Sequence, residues 1–504
     1  MNFYMCAVVL LGFLASVNYG YNISAVNAPQ MVIQEFIIEC FIERFGTHLT
    51  TKSVTTYFSI VVTIYLVGGM VGVLCASWIA EKSGRKMGLI YPQMISTIAA
   101  LLMGYCKDYY SYEMLVAGRF LVGVGDGLAT GILPLYISEI APIHIRGLLG
   151  TFNQLGATSG MLSSMVLGIN GILGGVYTWP VLLSLVSVPC LIQFLLLLLL
   201  PESPRYLILS KRKIDHAEDA LRKLRNLDNV KPEILSIQQE ELTCINETKY
   251  SVWQLLRASE LQLSLMVAIC LHFSQQMCGI FGIFAYSTSF FLSAGIDESI
   301  SQYSTIAVGV ILVLMSFVVM QFMDRAGRRT LILISYAGII MCSTGITVTL
   351  FHMANENSGI VLVSFLLFFV VFYASGGAAV PWIAVSELFT QGPRAAAVSI
   401  GVFVNWLMHM VVSLVFPQLS SGPIEYSFLP WLISTALCFV FLYLYFPETK
   451  NRSTNDIAAL FQVPNPWFTA VGLKKANEKE LLNLQNNADY GSRGTVPRIV
   501  TTSH

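Results

Sequence analysis

Apolar residues along the chain gather into runs of roughly 20, the length that crosses a hydrocarbon core as a helix. The pattern predicts twelve such helices, at about 4–25, 56–80, 88–106, 114–137, 148–172, 179–200, 262–290, 303–323, 330–352, 359–385, 396–417 and 428–446. Between the sixth and seventh runs lies a polar stretch. There Ile214, Ala217, Leu221 and Leu224 recur at helical spacing among charged residues, which predicts short amphipathic helices against one membrane face. The chain thus divides into a first six-helix half (1–200), a linker (201–260), a second half (261–449) and a polar tail (450–504) expected to be partly disordered. The first run lacks the basic segment that opens a signal peptide and reads as the first membrane helix.

Charge in the short connections orients this array, because Lys and Arg favour cytosolic loops. Lys82, Arg85 and Lys86 follow the second run, Arg146 the fourth, Arg325, Arg328 and Arg329 the eighth, and Arg394 the tenth. The alternate connections hold only Arg44, Lys52 and Lys107. Both termini and the linker are therefore expected to be cytosolic.

The same charges expose a repeat. Glu81-Lys-Ser-Gly-Arg-Lys86 returns as Asp324-Arg-Ala-Gly-Arg-Arg329. Ser138-Glu139, with Arg146 seven residues after the Glu, returns as Ser386-Glu387 with Arg394. Pro201-Glu202 returns as Pro447-Glu448. The shifts are 243, 248 and 246 residues (327 less 84, 387 less 139, 448 less 202), and three landmarks in one order at nearly one shift mark an internal duplication. The expected fold is an all-α membrane protein: twelve transmembrane helices in two parallel six-helix halves, the repeat architecture of the major facilitator superfamily.

A carboxylate at a cytosolic helix end can bridge to a guanidinium, and Arg does so with two parallel bonds. Glu139 can pair with Arg85 or Arg146, and Glu387 with Arg328, Arg329 or Arg394. With Glu202 and Glu448 these residues form a candidate cytosolic network, expected to hold the halves together inside and to break on inward opening. Arg119 lies near the start of the fourth run, where a charge needs a partner.

Composition narrows the class. Hydrophobic residues make up 55% of the chain and charged residues 12%, about half the charged share of a soluble domain. Net charge is zero, so nothing points to nucleic acid. The ten cysteines lie mostly within apolar runs, and none has the spacing of a metal site. No polar segment holds a Gly-rich phosphate loop or a nucleophile with its base. The chain reads as a carrier rather than an enzyme, with no cofactor and no metal, in contact with lipid and a small-molecule substrate. Oligomeric state is not legible.

Several motifs taken together resemble the sugar porters, and within them the facilitative glucose transporters of animals. They are Gly118-Arg119-Phe120, Pro201-Glu202-Ser-Pro-Arg205, Gln275-Gln276, Gly327-Arg-Arg329, Pro381-Trp382 and Pro447-Glu-Thr-Lys450. Asn27-Ala-Pro-Gln30 and Thr151-Phe-Asn-Gln-Leu-Gly156 point to the glucose-carrying branch. The resemblance spans about 10–462. It implies passive hexose transport, most simply of glucose, across the plasma membrane by alternating access.

It also implies a sugar site at the bilayer midplane. Gln154, Gln275 and Gln276 would bind hydroxyls, since an amide both donates and accepts. Trp382 would form an apolar floor, and Asn405 with Trp406 would line the inward vestibule. Tyr286 would help close an exofacial gate, and Pro381 would mark a hinge. Four positions depart from the glucose carriers: Phe281, Leu312 and His409 stand where those have Asn, and Ala374 where they have Glu. The scaffold thus implies a sugar carrier, while the pocket leaves the sugar open.

Proton-coupled sugar porters carry a titrating Asp on the first helix, where this chain has Asn22, which favours uniport. The alternatives are proton symport through Asp126, an acid within the fourth run, or a non-transporting sugar sensor of the same fold.

Overall fold

The computed structural model describes residues 3–141, 146–227, 229–244, 250–293, 295–352, 358–420, 422–450, 452 and 454–461. The first half comprises α1 (Phe3–Ser24), α2 (Gln30–Phe45), α3 (Thr51–Ser83), α4 (Arg85–Tyr105), α5 (Tyr112–Ile140), α6 (Arg146–Leu167), α7 (Trp179–Ser184) and α8 (Ser187–Leu199). The linker forms α9 (Pro204–Leu209), α10 (Ile214–Arg225), α11 (Lys231–Cys244) and α12 (Val252–Arg257). The second half comprises α13 (Gln262–Met277), α14 (Ile280–Ser293), α15 (Glu298–Ala326), α16 (Arg328–Phe351), α17 (Ser358–Phe372), α18 (Val380–Leu388), α19 (Gln391–Ser420) and α20 (Leu429–Tyr445). A last helix, α21, spans Thr454–Phe461; the rest of the tail, and with it the expected disorder, lies outside the described residues.

Eleven described stretches are long and apolar enough to cross a membrane. The twelfth span is α6, whose Asn153, Gln154, Thr158 and Ser164 lower its hydropathy. It is lodged between α1 and α15, where polar side chains find partners in protein rather than lipid. Small residues bring these helices close: a Cβ at Gly20 or Gly160 would run into the backbone of the facing helix.

Three predicted spans are not continuous. The sixth breaks between α7 and α8, and the seventh turns at Gly279 (φ 87°) between α13 and α14. The tenth carries a wide helical turn at Tyr373–Gly377 before Pro381 near the start of α18. Proline cannot donate to the preceding turn, so the break falls just ahead of it. The sequence reading also missed α2. Its buried Ile33, Phe36, Ile37 and Cys40 have helical spacing, but the segment is too short to register as a span.

The linker helices share a small core of Ile208, Ala217, Leu221, Val230, Ile234 and Ile237. Arg225 ties this unit to the first half: it pairs with Glu233 at 2.6 Å and donates to the Ile140 carbonyl at the end of α5. At its other end, Tyr250 N–H donates to the Gly392 carbonyl at the start of α19.

Candidate functional site: a cavity between the halves

The halves meet along α3 with α19 and α6 with α15. Between them lies a cavity of about 220 Å³, lined from both sides. The first half contributes Ser16, Tyr19, Asp126, Asn153 and Gln154. The second contributes Gln275, Gln276, Phe281, Leu312, Trp382, Asn405 and Trp406.

All five residues expected to bind substrate line this cavity, but their hydrogen bonds divide them. Gln275 donates from Nε2 to the carbonyls of Gly377 (3.0 Å) and Ala378 (2.8 Å), groups that the broken helix before α18 leaves available. Its Oε1 accepts from Asn405 Nδ2 at 2.7 Å. Gln275 therefore holds helices together instead of presenting a free amide. Gln276 donates to Asn405 Oδ1 at 3.0 Å, yet its Oε1 is buried without a partner. Such an atom in a polar cavity is an acceptor awaiting a donor. Asn405, which lines the cavity, is itself largely buried and bridges both glutamines. Gln154 is half-buried on α6. Trp382 is 41% exposed and lies edge-on to His272, with ring centroids 5.1 Å apart. Pro381, the residue before it, is buried.

The departures from the glucose carriers also divide. Phe281 and Leu312 line the cavity. His409 is buried against the Phe281 ring, with centroids 3.8 Å apart, and Ala374 is buried in the wide turn. Two positions expected to be amides are thus one packed ring pair.

On the first-half side, Asp126 accepts from Asn18 Nδ2 (3.3 Å), Asn22 Nδ2 (3.0 Å) and Tyr65 Oη (2.9 Å). Arg119 is fully buried in the same cluster. It donates from Nη1 to the Asn22 carbonyl (3.1 Å), and its guanidinium lies 4.7 Å from the Tyr65 ring centroid. Sequence reasoning named Asn22, Arg119 and Asp126 separately; Asn18 and Tyr65 it missed. The spacing of Asn18 and Asn22, four apart on one helix face, was the available signal.

Above the cavity, at the end away from the Arg/Glu motifs, the halves are in contact. Asn27 donates to the Phe284 carbonyl and to Ser287 Oγ, both at 2.9 Å, and accepts from Thr288 N–H. Tyr286 is buried there, its ring edge-on to Phe58 and stacked on Phe416, its hydroxyl donating to the Ser413 carbonyl. Trp406 wedges between the halves against Tyr19, Tyr65 and Gly69.

At the charged end, Arg85 pairs with Glu139 at 2.9 Å and Arg328 with Glu387 at 3.2 Å. Glu202 accepts from the N–H groups of Arg85 and Lys86, the first turn of α4, where the helix dipole favours an anion. Glu448 accepts likewise from Arg328 and Arg329 at the start of α16. Each motif glycine has positive φ (Gly84 98°, Gly327 87°), and a Cβ there would collide with the Glu202 or Glu448 carboxylate. Arg394 turns to the Phe389 carbonyl. The side chain of Arg146 lies outside the described residues. In this conformation the Arg85–Glu139 and Arg328–Glu387 pairs each join elements of one half.

Two parallel six-helix halves around a cavity lined by both define a membrane transporter. The chain belongs to the sugar (and other) transporter family, which matches residues 8–461. It is 35% identical over 451 residues to solute carrier family 2, facilitated glucose transporter member 1 of Gallus gallus, covering 89% of this chain and 91% of that protein. It is 35% identical to member 4 of Homo sapiens, covering 95% and 94%. Among solved structures, the inward-open xylose transporter XylE from E. coli superposes with a TM-score of 0.73 at 23% identity, covering 90% of this chain and 99% of that one.

Proposed function

We propose that the protein carries a hexose passively across the plasma membrane, with glucose the first candidate, and that the Arg/Glu-bearing ends and both termini face the cytosol. One observation carries this reading: the cavity pairs indole surfaces with amides, including the unpartnered Oε1 of Gln276. A pyranose offers the complement, hydroxyls around its edge and C–H groups on its faces. The closed contacts around Asn27 and Tyr286 then form the exofacial gate, and access is from the cytosolic side. Passive transport is supported by Asn22 on α1, whose amide is a fixed donor to Asp126. The glucose transporters among the relatives support the substrate class.

The test is uptake of a panel of labelled hexoses by the purified protein in liposomes, with and without an imposed pH gradient. Downhill uptake of at least one hexose, with no accumulation driven by the gradient, is expected. Gln276→Leu should weaken apparent affinity roughly 5- to 150-fold, the equivalent of about 1–3 kcal/mol for a buried hydroxyl left unpaired. Unchanged transport in this variant would remove the cavity as the binding site. Gradient-driven accumulation abolished by a protonophore would replace uniport with symport.

A further inference from the structure

The cavity carries an acid that a neutral hexose does not need. Asp126 presents up to four acceptor positions on its two oxygens. Three are filled by neutral donors, two from α1 and one from α3. Buried carboxylates are ordinarily matched by a cation. Here the nearby cation, Arg119, is directed to the Asn22 and Val61 carbonyls and the Tyr65 ring, and makes no ion pair with Asp126. Across the cavity, Gln276 adds a second unfilled acceptor, because its donors and those of Gln275 and Asn405 are directed into protein partners. Both sides of the cavity therefore present acceptors, and one of them is a carboxyl group.

We infer that the cavity selects a hexose bearing an ammonium group, a 2-amino-2-deoxyhexose such as glucosamine, with the ammonium on Asp126 and a ring hydroxyl on Gln276 Oε1. An ammonium is a donor only, with three N–H groups and no lone pair. Charge-assisted bonds of this type are roughly twice as strong as neutral ones. Loss of an amide at Phe281 and Leu312 acts in the same direction, since both positions line the cavity with apolar surface and supply no donor. Amide donors for the remaining hydroxyls stand on α6, at Asn153 and Gln154. The inference rests on the hexose-carrier reading and deepens it.

The experiment is competition in proteoliposomes holding the full chain, with labelled glucose as the tracer. Unlabelled glucosamine, 2-deoxyglucose (neutral and no larger) and glucose are the competitors. Glucosamine at about pH 6.5 should compete at least tenfold better than either neutral sugar. That preference should fade toward about pH 9, as an amine titrating near the α-amino range loses its charge. An inside-negative potential should speed glucosamine uptake and leave glucose uptake unaffected. In Asp126→Asn the ratio of glucosamine to glucose affinity should fall to within about twofold. Equal competition by the three sugars in the wild type overturns the inference while leaving the hexose carrier intact. So does an undiminished ratio in Asp126→Asn. Absence of uptake for every sugar would instead overturn the carrier reading itself. Accumulation of neutral glucose under a pH gradient, lost in Asp126→Asn, would make the carboxylate a proton site and overturn the ammonium assignment. If Asp126→Asn does not reach the membrane, the pH series on the wild type decides alone.

Discussion

The two halves solve one problem alike and another differently. At the charged end they are near copies. Arg85 with Glu139 and Arg328 with Glu387 form matching pairs, Glu202 and Glu448 cap matching helices, and Ser203 and Thr449 each donate a hydroxyl to the paired Glu. In the cavity they diverge. The opening helix of each half buries two amides, Asn18 and Asn22 on α1, Gln275 and Gln276 on α13. In the first half their partner is a carboxylate on an unbroken helix, α5. In the second it is backbone carbonyl freed by the wide turn before α18, together with Asn405. A side chain can be exchanged without altering a helix; a freed carbonyl requires the helix to be broken. The lesson is that scaffold chemistry was kept through the duplication, while each half found its own way to satisfy buried amides.

The largest effect should come from removing those partners. Asp126→Leu strands three donors that the protein buries, and Gln275→Leu strands two carbonyls and an Asn405 donor, at about 1–3 kcal/mol for each group left unpaired. Both should lower thermal stability in detergent, measured by the temperature at which monodisperse protein is lost. The halves should also differ in kind. Gln275→Asn, too short to reach the Gly377 and Ala378 carbonyls, should be nearly as damaging as Leu, whereas Asp126→Asn keeps one acceptor oxygen, enough for the Asn22 and Tyr65 donors, and should be milder than Asp126→Leu. Equal damage from the Asn and Leu substitutions at Asp126 would break the comparison.

Next in size is the contact between the halves. A Cβ at Gly69 would meet the Trp406 ring, and overpacking of this kind costs about 1–3 kcal/mol. Gly69→Ala should therefore disfavour the observed conformation and populate one in which the halves separate at that point. Accessibility of a cysteine placed at Ser287, which accepts from Asn27 here, should rise toward an impermeant thiol reagent. No change in labelling would mean that Trp406 re-seats within the same conformation.

The smallest effect tests the symmetry itself. Glu202→Gln and Glu448→Gln each remove an anion from a helix N-terminus, worth about 1 kcal/mol. Their losses of stability should agree closely. A large asymmetry would mean that one half carries more of the charged-end energy than its geometry implies.

Much of this architecture was legible in the chain because membrane insertion is a local matter. An apolar run long enough to span must be helical to satisfy its own backbone, so the spans, the duplication and the motif residues followed from order and spacing alone. The charged-end partners were also close to readable: Glu139 had two candidates and Glu387 three, and among the described side chains Arg85 and Arg328 pair with them. What the sequence could not supply was which polar groups face which. Gln275 and Gln276 are adjacent and chemically identical, yet one is held by the Gly377 and Ala378 carbonyls and the other keeps an open acceptor. Adjacent helix residues point about 100° apart, and only packing decides what stands opposite each. The ion pairs likewise stayed within their halves because a salt bridge forms with what the fold brings near. The sequence by itself determined twelve helices, two halves and a family. Only tertiary structure decided that Asp126 gathers Asn18, Asn22 and Tyr65, because those contacts join residues as many as 108 positions apart and no local rule links them.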